Sequence, residues 1–128
     1  MGKYGEVATI AVSLMAQDGA LAPRDAWREG ATRVFPDKPA ARDKGCPKDS
    51  FLALCEIGIL EHTERGTYTR SVKNKGYVTR ALAALRSEPQ LADDPKRLWS
   101  IATDGAGVRP NEQMDVLIAL WRHGLVRK

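Results

Sequence analysis

Two cysteines, two histidines and a run of cations are the residues of this 128-residue chain whose types and spacing could do chemistry. Both cysteines fall in the stretch GCPKDSFLALCEIGIL, residues 45–60. Cys46 is expected at a helix N-terminus, where unpaired amides, the helix dipole and the charges of Lys44 and Lys48 would favour a thiolate. No histidine stands near it in sequence to act as a base, so a catalytic or redox thiol is not expected. Zinc would need a close cysteine pair that Cys46, Cys55 and His62 do not supply. His62 and His123 each sit beside a glycine-ended helix, where a surface or packing histidine would stand in any case. Triad, P-loop, dinucleotide and metal motifs are all missing. The expectation is a non-enzymatic chain without cofactor, metal or small-molecule substrate.

The cations carry the other candidate chemistry. Residues 1–64 hold eight Lys and Arg against ten Asp and Glu, whereas residues 65–128 hold twelve against six. No acidic residue stands between Glu64 and Glu88, while Arg65, Arg70, Lys73, Lys75, Arg80 and Arg86 all fall there. Such a stretch raises the local positive potential and attracts a polyanion. Tyr68 adds a hydroxyl suited to a phosphate, and Lys44 and Lys48 flank the preceding helix. The candidate nucleic-acid contacts are therefore Lys44, Lys48, Arg65, Tyr68, Arg70, Lys73, Lys75 and Arg80. Against base reading, the outward positions of that helix include Asp49 and Glu56, and those of its later counterpart include Glu112 and Asp115, which would meet phosphates in a deep groove.

The elements that must position these residues are helices. Val7, Ile10, Ala11, Leu14 and Met15 form an apolar stripe from about Tyr4 to Gln17, which Gly19 is expected to close in the left-handed conformation. Pro23 suits the first turn of a second helix that buries Ala26, Trp27, Ala31 and Val34 and ends at Phe35-Pro36. Pro47 is expected to start a third, with Phe51, Leu52, Leu54 and Cys55 inward and Gly58 as its stop. The pattern then returns. DSFLALCEIGIL (49–60) matches DVLIALWRHGLV (115–126), PRDAW (23–27) matches PKRLW (95–99), and the spacing of Val7, Ile10, Ala11 and Leu14 matches Val78, Ala81, Leu82 and Leu85. Asn74 is the expected N-cap of the helix to about Ser87, and Asp94-Pro95 starts the next.

Three correspondences in one order predict two copies of a three-helix unit. The expected fold is mainly α, with two tandem helix-turn-helix-like units. Residues 1–72 form a unit followed by a short β-hairpin, and residues 73–128 a unit without one, packed as one compact body. ERGTY (64–68) reads as the hairpin tip, with Thr67, Tyr68 and Thr69 returning. This arrangement resembles the winged helix-turn-helix layout, in which the third helix can enter the major groove and the wing lies along the backbone. The motifs G-C-P-K (45–48), F-L-x-L-C-x-x-G (51–58), G-x-Y (66–68), N-x-x-Y (74–77), Q-M-D-V (113–116) and L-W-x-x-G-L (120–125) further resemble a family of small bacterial proteins of unknown function. That resemblance implies no activity and no site residues.

No segment approaches the length of an apolar membrane span, and cysteines nine positions apart suit a cytoplasmic chain with reduced thiols. Double-stranded DNA, bound through its backbone, is the expected partner. The alternative is an adaptor or accessory role, with a protein partner or a second copy of the chain meeting complementary acidic and basic patches.

Overall fold

The structure is a computed structural model and describes residues 2–60, 63 and 66–127. Helix α1 runs Lys3–Gln17, α2 Pro23–Val34, α3 Pro39–Arg42 and α4 Gly45–Glu56; α5 runs Val72–Ser87, α6 Pro95–Ala102 and α7 Gln113–Arg122. A 3-10 turn at Pro89–Asp93 joins α5 to α6. The mainly α expectation holds. Among the described residues there is no strand, and the one β feature is an isolated antiparallel bridge between Leu60 and Val126. Among the described residues no helix is long and apolar enough to cross a membrane.

Helices α4 and α7 form the centre because they are buried almost all round. Ser50 to Glu56 of α4 and Val116 to Leu120 of α7 are all buried, with Met114 a turn earlier. Each is stopped by a glycine at positive φ, Gly58 at 73° and Gly124 at 69°, a conformation that glycine adopts without a Cβ penalty. The segments beyond these glycines meet at the Leu60–Val126 bridge, and Arg127 donates its backbone N–H to Ile59. The outer helices pack crosswise on this pair. α1 lies on α2 and on α7, whereas α5 lies on α6 and on α4. One apolar cluster draws side chains from all these elements, including Val7, Trp27, Phe51, Leu54, Leu82, Leu98 and Leu120.

Carboxylates fasten the crossings. Asp115 on α7 accepts from the backbone N–H groups of Gly2 and Gly5, at 3.1 and 3.0 Å, and so caps α1 from another helix. Gly5 permits the approach, since a Cβ there would stand 2.7 Å from the Ala119 methyl. Tyr4 ties the same end of α1 to α3 by donating to the Ala41 carbonyl at 3.0 Å. Burial, and after it the Glu112 carboxylate, raise the Tyr4 pKa.

Several local expectations need correction. The buried face of α1 is Tyr4, Val7, Ala8, Ala11, Val12 and Met15, with Ile10 and Leu14 only half-buried. The match to α5 is therefore better from Ala8, Ala11, Val12 and Met15 to Val78, Ala81, Leu82 and Leu85, one position from the register read in the sequence. Gly19 is not left-handed; α1 ends at Asp18, whose carboxylate turns the chain by accepting from the Ala20 N–H. α4 begins at Gly45, leaving Pro47 inside its first turn. Ser71, not Asn74, caps α5: its hydroxyl accepts from the Asn74 N–H and from the Asn74 side-chain amide. Asp94 does cap α6, accepting from the Arg97 N–H.

The β-hairpin wing also needs correction. Its tip residues Glu64 and Arg65 lie outside the described residues, and residues 66–70 form no ladder. The N–H groups of Tyr68 and Thr69 go instead to one carboxylate oxygen of Glu56, at 2.9 and 3.3 Å, and Gly66 N–H goes to the Glu56 carbonyl. A side chain at the end of α4 thus takes the donors that a returning strand would have offered to a partner.

Asp115→Ala should lower unfolding free energy by about 1–2 kcal/mol, the scale of a lost cap. A urea titration reads this directly, and an unchanged midpoint would show that α1 needs no anchor on α7.

Candidate functional site

The two cysteines do not form a centre. Cys55 is completely buried in α4, and burial pushes its thiol pKa far up from the ordinary 9.0, the opposite of what a nucleophile needs. Cys46 is partly exposed, and both thiols are free. His62 lies outside the described residues, and His123 is exposed just beyond α7. Among the described residues, no three metal-ligating side chains gather.

The predicted phosphate contacts separate into three groups. Lys75 and Arg80 serve the fold: Lys75 pairs with Glu56, and Arg80 donates from Nε to the Ala102 carbonyl at 2.6 Å while lying over Tyr77 at 5.8 Å. Arg86 likewise donates to the Arg127 carbonyl. Arg65 lies outside the described residues. The remainder, Lys44, Lys48, Tyr68, Arg70 and Lys73, sit on two stretches that α4 brings together. Thr69 donates its hydroxyl to Asp49 at 3.1 Å, so the first turn of α4 lies beside the segment leading into α5. Lys48 and Arg70 are the chain neighbours of those two bonded residues. Lys44 has its ammonium 5.7 Å from the Tyr4 ring centroid, and Arg70 and Lys73 are exposed.

The carboxylates expected on the outward face of α4 point elsewhere. Glu56 is only 8% exposed and holds Tyr68, Thr69 and Lys75; Asp49 is half-buried against Thr69. On α7, Asp115 is turned to α1, while Glu112 is exposed.

Sequence reasoning missed a second set of cations. Arg24 and Arg28 of α2, Arg42 of α3 and Lys48 of α4 line a recess of about 240 Å³, together with Trp27, Thr32 and Asp43. Arg24 also donates to the Tyr68 carbonyl at 3.2 Å, joining the recess to the strip that carries Arg70. The signal was available in the i, i+4 spacing of Arg24 and Arg28, continued by Thr32, which puts all three on one face of α2. A larger groove of about 690 Å³ lies between α6 and α7, where Pro95, Trp99, Pro110, Met114 and Ile118 supply apolar lining.

The fold defines a mainly helical protein. The chain belongs to a family of unknown function, DUF6979, whose model matches residues 1–127. No curated protein and no solved structure matches it.

Two outcomes test this geometry. Below pH 9 the folded and unfolded chains both keep the Cys55 proton. Above it the unfolded thiol ionises while the buried one does not, so stability should fall by about 1 kcal/mol between pH 9 and 10, the slope approaching about 1.4 kcal/mol per pH unit only above that range. Cys55→Ala should lack that increment in urea titrations, and equal slopes in both proteins would show that the thiol is not protected. Glu56→Gln should loosen residues 66–70, with amide exchange at Tyr68 and Thr69 rising at least about tenfold. Unchanged protection there would show that the carboxylate does not hold the segment.

Proposed function

We propose that the chain is a non-enzymatic nucleic-acid-binding protein that contacts the phosphate backbone of duplex DNA. The observation that carries the reading is the Thr69–Asp49 hydrogen bond, which sets Lys48 and Arg70 on adjoining stretches with Lys44 and Lys73 beyond them. Part of the acidic charge that would have opposed this is turned away: Asp49 faces the Thr69 hydroxyl, and Glu56 faces the N–H groups of Tyr68 and Thr69 and pairs with Lys75. Backbone contact without base reading fits a surface made of lysines and arginines on helix starts and a connecting segment. The same reading takes residues 1–72 and 73–128 as two tandem helical trios. The crosswise packing of α1 on α7 and α5 on α4, and the paired stops Gly58 and Gly124, support it.

A protein-interaction role is the second reading, and the groove of Trp99, Met114, Ile118, Pro95 and Pro110 favours it. Apolar lining with a polar margin is the composition of a partner site.

Fluorescence anisotropy with a labelled non-specific duplex should show binding that weakens steeply with salt. Replacing Lys44, Lys48, Arg70 and Lys73 by alanine should reduce the slope of log K against log salt by roughly 3 to 4, about 0.9 for each phosphate contact removed. Absence of binding at low salt overturns the nucleic-acid reading, and binding that is unchanged in the variant overturns the assigned surface.

A further inference from the structure

Trp27 forms the floor of the recess between α2, α3 and α4. It is 1% exposed, whereas the other lining side chains are exposed or half-exposed. Its ring is held in place by Phe51, with centroids 5.2 Å apart. Its indole N–H is fully buried and, among the described residues, finds no acceptor. A buried donor left unpaired is uncommon, because it forfeits the hydrogen bond it had to water. Trp99, the matching tryptophan in PKRLW, does not share this condition. Its N–H donates to the Val108 carbonyl at 2.7 Å, supplied by the connector between α6 and α7. The connector between α2 and α4 folds into α3 and brings Arg42 to the recess, with no carbonyl for Trp27.

Where one tryptophan has a built-in oxygen, the other has a recess ringed by cations. Arg24, Arg28, Arg42 and Lys48 stand against a single lining carboxylate, Asp43. Their present contacts are few and replaceable: Arg24 to the Tyr68 carbonyl, Arg28 to Asp25 in an exposed pair, and Arg42 to the Pro36 carbonyl at 3.5 Å. The surplus of positive charge suits a dianion better than a single carboxylate, and the guanidinium fork matches phosphate oxygens. At about 240 Å³ the recess is below the size of a drug-sized ligand site, so it admits one phosphate and a small substituent.

We propose that this recess is a binding site for a single phosphate or phosphomonoester group, which rests over the Trp27 floor and pairs with Arg24, Arg28, Arg42 and Lys48. The site shares only Lys48 with the duplex-binding strip and does not require duplex binding.

The test is a titration of the 15N-labelled chain with inorganic phosphate, followed at the tryptophan indole N–H signals, which Trp27→Phe and Trp99→Phe assign. The Trp27 signal should move saturably at millimolar phosphate, while that of Trp99, already bonded to Val108, stays in place. The double variant Arg28→Gln/Arg42→Gln alters one exposed and one half-exposed side chain, each only partly used by the fold. It should weaken phosphate at least about tenfold while leaving the Trp99 signal unchanged. A Trp27 signal that is still at about 50 mM phosphate, that chloride of equal ionic strength moves as far, or that titrates alike in the double variant overturns the proposal. A 5′-phosphorylated oligonucleotide set against its dephosphorylated form, and a free sugar phosphate set against the sugar, then identify the source of the group. Preference for the phosphorylated member of either pair supports the site, and indifference in both pairs counts against it.

Discussion

Carboxylates on the two central helices hold the ends of segments that belong to other elements, and the arrangement of the molecule depends on this. An α-helix leaves its first N–H groups without partners, and a short helical protein has few loops with which to satisfy them. Here Asp115 of α7 receives two such groups from α1, and Asp49 and Glu56 of α4 receive the hydroxyl and N–H groups that lead into α5. The Asp115 bonds join opposite ends of the chain, while those of Asp49 and Glu56 fold the segment after α4 back onto it, so each fixes tertiary position as well as a local end. Because the acceptors are charged, each such bond contributes more than a neutral one and is more damaging to lose.

This fastening decides what is left on the surface. A carboxylate turned to the chain's own donors points its charge away from a neighbouring lysine, so Lys48 lines the recess while Asp49, the next residue, faces the Thr69 hydroxyl. The same commitment displaces the expected hairpin: once Glu56 takes the N–H groups of Tyr68 and Thr69, residues 66–70 have no reason to pair as strands. A polar side chain with good geometry outcompetes a two-stranded ribbon, which is marginal on its own in water.

Much of the helical layout was legible because burial imposes a period on the sequence. The apolar runs of α4 and α7, their glycine stops, Pro23 and the Asp94 cap all stand where their residue types imply, and Cys55 is buried as its apolar neighbours suggest. The one-position error in α1 has a physical cause. Ala8 and Val12 flank one side of the stripe of Val7, Ala11 and Met15, and Ile10 and Leu14 flank the other; the flank of smaller side chains is the fully buried one, which residue size alone does not signal. Direction was the unreadable quantity for the carboxylates. Glu56 at the end of an apolar helix looks solvent-facing by type, and only the return of residues 66–70 over it makes it buried.

The cationic recess was hidden for a related reason. Each of its four cations is followed in the chain by an acid, giving Arg24-Asp25, Arg28-Glu29, Arg42-Asp43 and Lys48-Asp49. Any sum along the sequence therefore cancels them, and the first half of the chain reads as slightly acidic. Consecutive residues on a helix point about 100° apart, so charges adjacent in sequence part company in space. Asp25 and Glu29 turn to pairs on the exposed side of α2, with Arg28 and Arg33, and Asp49 turns to Thr69. Of the four acids only Asp43 joins the lining. Net charge by segment thus passes over these four cations, because convergence depends on which side of each helix a charge occupies and on which other helices present theirs to the same space.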